Sequence, residues 1–146
     1  MVKFDIIGAL KTYADANNMK FLSGSEWYQN YQSDVESYDN GELVLGCDFN
    51  CQPTYSRGQV QSIRYSGVLM LGRKFEELGG SESNLDETFY QKYVLRLKEL
   101  LIELDILIRE FICANELDVI SCTIANDLNK FDTNIDFVAA TITFEQ

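Results

Sequence analysis

The sequence predicts an α+β domain: an antiparallel sheet of about four strands, with an N-terminal helix and one long helix packed on one of its faces. Three observations carry that expectation. Apolar residues recur at three- and four-residue intervals near the N-terminus and over a longer stretch past the midpoint. Elsewhere they alternate, as on half-buried strands. The two central alternating stretches follow each other with no room for a crossover helix, which makes them antiparallel. With 146 residues, 46% of them apolar or aromatic, the chain supports one core and reads as a single domain over residues 1–146.

The first helix is expected over residues 3–17, where Phe4, Ile7, Leu10, Tyr13 and Ala14 share a face and Asp5, Lys11 and Asp15 face water. Asn17-Asn18 stops it, a short apolar step (residues 19–22) follows, and Ser23-Gly24-Ser25 turns the chain. Residues 26–40 set Trp27, Tyr28, Tyr31, Val35 and Tyr38 among polar side chains, fitting either a short helix or a loop held down by aromatics. Asp39-Asn40-Gly41 is a turn signal, since Asn and Gly accept positive φ at low cost.

A strand is expected over residues 42–49, then a loop or wide hairpin end over 51–59 holding the only proline, Pro53. A second strand runs from about 60 to 75, with Gly67 marked as a bulge that changes register. Residues 76–86 are polar and form a surface connection. From 87 to 113 an apolar stripe predicts a helix about 40 Å long, against a globule about 30 Å across. Leu101, Ile102, Ile106 and Ile108 widen that stripe, so part of it is expected to meet a neighbouring copy. Asn115 ends the helix. Strands over 117–124 and 135–144 close the chain, separated by a polar excursion over 125–134.

Charge narrows the functions. There are 12 basic and 23 acidic side chains, a net −11, with residues 74–146 carrying 15 of the acids. Such a chain does not neutralise a phosphate backbone, and an anionic membrane surface repels it. No apolar run is long enough to span a bilayer and no export signal is visible, so synthesis in the cytoplasm is expected.

The chain has no histidine, which removes the commonest general base and metal ligand. Cys47 and Cys51 are spaced C-x3-C without a second close pair, so no zinc knuckle is expected, and Cys47, Cys51, Cys113 and Cys122 read as ordinary buried or half-buried thiols. Glu99 and Glu103 share a helix face and are the carboxylates an acid/base enzyme would use, from a deep polar cleft; they read as a solvated helix edge. Asp127, Asp132, Asn134 and Asp136 lack the glycine and terminal glutamate of a calcium loop. The expectation is no catalysis, no metal and no cofactor.

The order helix, aromatic polar segment, two strands, long helix, two strands resembles the tail-terminator and tail-completion proteins of tailed bacteriophages, small subunits of head-tail connector and neck rings. The end of the chain, Asn129-Lys130-Phe131-Asp132-Thr133-Asn134-Ile135-Asp136-Phe137-Val138 and then Thr141-Ile142-Thr143-Phe144, is similar to the closing hairpin of such proteins, with Phe137 where a small residue is common. The Asn/Tyr-rich, histidine-free composition is similar to proteins of crAss-like phages. The resemblance implies a structural virion protein of the viral tail or neck, made in the host cytoplasm. It implies a homo-oligomeric ring of six or twelve copies around the DNA channel, touching neighbouring neck, tail or portal-side proteins while DNA passes without specific binding.

On that reading Trp27, Tyr28, Tyr31, Tyr38, Leu101 and Ile108 form the interface between copies. The loops holding Pro53, Tyr55, Arg57, Asp127 and Asp132 reach adjacent rings. The alternative is an acidic intracellular binding module, an accessory or inhibitor protein that masks a basic partner.

Overall fold

The structure is a computed structural model that describes residues 4–24, 41–74, 97–128 and 135–146. In chain order it holds helix α1 (Ile6–Ala16), strands β1 (Lys20–Ser23), β2 (Leu43–Ser56) and β3 (Gln59–Lys74), helix α2 (Lys98–Asn115), and strands β4 (Asp118–Leu128) and β5 (Ile135–Glu145). The strands form one open sheet in the order β1-β2-β3-β5-β4. Every neighbouring pair is antiparallel except β1 and β2.

The α+β class is as expected, but among the described residues the sheet has five strands rather than about four. The extra one is β1, which the sequence marks only as an apolar step between α1 and a turn. It is four residues long, too short to show alternation, and its parallel pairing with Val44–Cys47 depends on residues more than twenty positions away.

Local signals explain α1. Asp5 caps it, its carboxylate accepting from the Gly8 amide at 2.9 Å. Gly8 leaves that approach open, because a Cβ there would lie 2.7 Å from the Asp5 carboxyl carbon. Asn17 closes the helix and Asn18, at φ +56°, turns the chain out of it. At the other end of the chain α2 stops where expected: Asn115 is its last residue, and Glu116 takes the left-handed conformation at φ +55°. The start expected near residue 87 lies outside the described residues.

Both helices lie on one face of the sheet. Ile6, Leu10 and Ala14 of α1 and Leu100, Leu104, Leu107, Ile108 and Phe111 of α2 meet Leu45, Cys47, Tyr65, Leu69, Leu71, Val138, Ala140, Ile142 and Phe144 in one buried cluster. Phe144 anchors it, with its ring centroid 5.8 Å from those of both Phe49 and Phe111. The last residue is tied in as well: Gln146 and Ile63 exchange backbone hydrogen bonds of 2.9 and 3.1 Å. On the other face, Val44, Met70 and Phe137 form a smaller buried group, with Gly72 directly between Val44 and Phe137 in the register.

Two expectations about β2 and β3 are corrected. Gly67 is not a bulge: pairing with Phe49 on one side and Ile142 on the other continues through it. Its smallness serves close approach, since a Cβ would run into the carbonyl oxygen of Asp48 and sit 2.8 Å from Phe49 Cα. The register shift falls at Thr54/Tyr55, and a second falls at Val119/Ser121 in β4.

Residues 51–59 are not a loop. They continue both strands to a two-residue turn at Arg57-Gly58, where φ is +52° and +76°, as the tight hairpin turn of matching twist requires. The polar excursion expected from residue 125 is also shortened, because β4 continues to Leu128.

A candidate assembly surface

The strand lengths produce two uncovered features. β5 pairs with β3 only as far as Arg64↔Glu145, and β1 pairs with β2 only over Val44–Cys47. Residues 54–62 therefore leave the sheet as a short two-stranded arm, exposed along nearly its whole length. Near the tip Tyr55 and Val60 face each other across the ribbon, 64% and 42% exposed. From Phe49 to Lys74 the sequence has no acidic residue and four basic ones, Arg57, Arg64, Arg73 and Lys74, in a chain of net charge −11.

The second feature is the β4 edge. Among the described residues β4 pairs only with β5. Its residues 118–125 are all exposed, including Val119, Ile120 and Ile124. Val119, Cys122 and Ile124 sit opposite Phe144, Ile142 and Ala140, so they point to the side on which the helices lie, yet neither helix covers them. Beside them stands one flank of α2, with Ile102 and Ile106 one turn apart and 53% and 47% exposed. Asp105 on that flank acts on Cys122: burial first, and then the Asp105 charge, push the Cys122 thiol upward.

The sequence-predicted residues fall in several places. Trp27, Tyr28, Tyr31, Tyr38 and Asp132 lie outside the described residues. Ile108 is a member of the core cluster at 8% exposure, so its surface is already covered within the chain. Leu101 is half-buried and packs against that cluster. Tyr55 and Arg57 lie in the arm, Arg57 in its turn, and Pro53 lies at its base opposite Ile63. Asp127 is within β4, paired with Phe137 in the register. The α2 flank at Ile102 and Ile106 was legible as excess apolar width. The arm was legible only as a loop or a wide hairpin end.

The carboxylates and thiols are placed as follows. Glu99 is exposed and bonded to Arg73 at 3.3 Å. Glu103 is half-buried, and its Oε2 is enclosed with no hydrogen-bond partner among the described residues. Glu110 accepts from the Tyr13 hydroxyl at 2.7 Å. Burial, then that hydrogen bond, then the Glu110 charge raise the tyrosine well above its ordinary value. Of the four free cysteines, only Cys47 is buried, its thiol pushed up to about 12 by burial and, less, by Asp48. Cys51, Cys113 and Cys122 are exposed rather than buried or half-buried.

An open cleft of about 620 Å³ lies between α1 and the end of α2, lined by Asp5, Gly8, Ala9, Thr12, Tyr13, Ala16, Ala114 and Asn115. Neither Glu99 nor Glu103 lines it. Among the described residues no helix is long and apolar enough to cross a membrane, and no group of acids and cysteines gathers as a metal site. Comparison with models of known protein families and with curated proteins finds no match.

Proposed function

We propose that this chain is a structural subunit that assembles with copies of itself into a ring, and that the ring belongs to the neck or tail of a tailed bacteriophage, around the channel through which DNA passes. The observation that carries the self-assembly part is the presence, on the same chain, of an exposed, acid-free arm and of a sheet edge that no described element covers. Edge strands of proteins that stay single are usually blunted by lysine, proline or a covering element. Residues 119–125 have no lysine or proline, and no element among the described residues covers them.

The phage part rests on the order of elements and the closing hairpin, and the charge supports it. A lining of net negative sign repels the DNA backbone, so DNA slides past without being held. The function is then geometric: the fold supplies a rigid wedge, and its contacts set the diameter of the opening. Negative-stain imaging of the purified protein tests this. Closed rings of uniform diameter are expected. Single copies at every concentration, together with strongly salt-dependent capture of a cationic protein such as lysozyme, are the result that replaces this reading with the acidic binding module.

A further inference from the structure

Resting on the self-assembly reading, we propose that the arm of one copy docks on the β4 edge of the next, continuing its sheet and seating Tyr55 and Val60 on the apolar flank between β4 and α2. The occupant of that edge is thus a second copy of this chain, held head to tail.

Three independent features of the two surfaces match. The first is backbone. On the outer side of β4, and on both outer sides of the arm, no described strand takes up the row of amide and carbonyl groups. Two such rows satisfy each other by strand addition. The bulge at Ile120 distorts only the start of β4, and from Ser121 to Leu128 its register is regular.

The second is apolar surface. Tyr55 and Val60 are exposed at the arm tip; Val119, Ile124, Ile102 and Ile106 are exposed on the receiving side. Neither set is covered within the chain, and each is small enough to stay soluble until joined to the other.

The third is charge. The arm carries Arg57 and no acid, Arg64 beside its base being paired with Glu145 at 2.7 Å, whereas Lys98–Leu128, which supplies the receiving face, has seven acidic and two basic side chains. Two copies of a chain of net −11 repel at long range, so a contact between them has to bring a basic part of one to an acidic part of the other. Arm to β4 does so; arm to arm and β4 to β4 do not.

The arm cannot satisfy its own edge. It continues β2 and β3 past the end of β5, and β5 lies between β3 and β4. Every copy therefore offers an arm and a β4 edge, and repetition of the contact closes a ring when the rotation per copy permits.

The test uses two full-length variants, Tyr55→Asp in the arm and Ile124→Lys on the edge, followed by light scattering. Both side chains are exposed, and thermal melts like that of the parent protein establish that each variant is folded. Each substitution is expected to weaken self-association at least about tenfold. Mixed together, the two variants are expected to form one-to-one dimers and nothing larger, because the intact arm of one meets the intact edge of the other.

Variants that assemble like the parent, or a mixture that stays monomeric, overturn the arm-to-β4 contact and leave the self-assembly reading standing. A parent protein that is monomeric at its highest soluble concentration overturns both.

Discussion

β2 and β3 are each built as one continuous strand, but their two halves are held by different forces. In the helix-covered half, Leu45, Cys47, Leu69 and Leu71 are buried against α1 and α2, and the sheet is flanked by β1 and β5. In the arm the same strands have only each other, and their side chains face water. A lone two-stranded ribbon is marginal in water, so the arm depends on the tight Arg57-Gly58 turn and on continuity with the body. The comparison teaches where selection for folding ends. The body's alternation is saturated within one chain, while the arm and the β4 edge leave exposed apolar side chains and backbone groups that no described strand takes up.

The sharpest way to break the comparison is at the centre of the body. Phe144→Ala is expected to cost about 3–5 kcal/mol in urea unfolding, because the ring is fully buried between Phe49 and Phe111. Gly67→Ala is expected to cost about 1–3 kcal/mol, since the added methyl meets the Asp48 carbonyl and forces β2 and β3 apart. A Gly67→Ala protein as stable as the parent would show that the strands can separate there without loss.

Tyr13→Phe comes next, at about 1 kcal/mol for the lost hydrogen bond to Glu110 near neutral pH. It also changes the pH profile. Because the folded chain holds the Tyr13 proton more tightly than the unfolded one, the contribution is fully present below the ordinary tyrosine value of 10.0 and is lost as pH rises above it. Tyr65, raised by burial against the opposing effect of the Phe4 amide, acts in the same direction. Alkaline unfolding monitored by circular dichroism is expected to begin at higher pH in Tyr13→Phe than in the parent.

The smallest effects belong to the arm. Tyr55→Asp is expected to change the stability of the monomer by less than about 0.5 kcal/mol, in contrast to its effect on association. Thiol labelling near neutral pH separates the regions without mutation: Cys51 and Cys122 are expected to react in the folded protein, while Cys47, pushed up to about 12 and buried, reacts only on unfolding.

The body was largely readable from the sequence because its signals are local. Apolar spacing, the Asn17-Asn18 stop, the end of α2 at Asn115 and the antiparallel order of β2 and β3 all follow from neighbouring residues. β1 was not readable, because four residues paired in parallel with a distant strand carry no pattern of their own. The arm was readable only as a loop or a wide hairpin end, for a related reason. Polar residues on both faces erase the alternation that marks a strand, and Pro53 argues against a central one. Gly67 was read as a bulge because a glycine in a strand serves either a bulge or a close approach, and only the Phe49 and Asp48 backbone decides between them. For the candidate site, the width of the α2 stripe pointed to Ile102 and Ile106. Which of its extra residues faced inward, as Ile108 does, depended on how α2 sits over the sheet.

The most direct measurement of the central claim, that the uncovered arm and β4 edge are where copies meet, is amide hydrogen exchange of the intact protein at low and high concentration. Slower exchange confined to residues 54–62 and 118–126 at high concentration, with the amides of Leu69, Leu71 and Val138 unchanged, is the predicted result. Exchange in both segments that stays the same while the protein associates would contradict it.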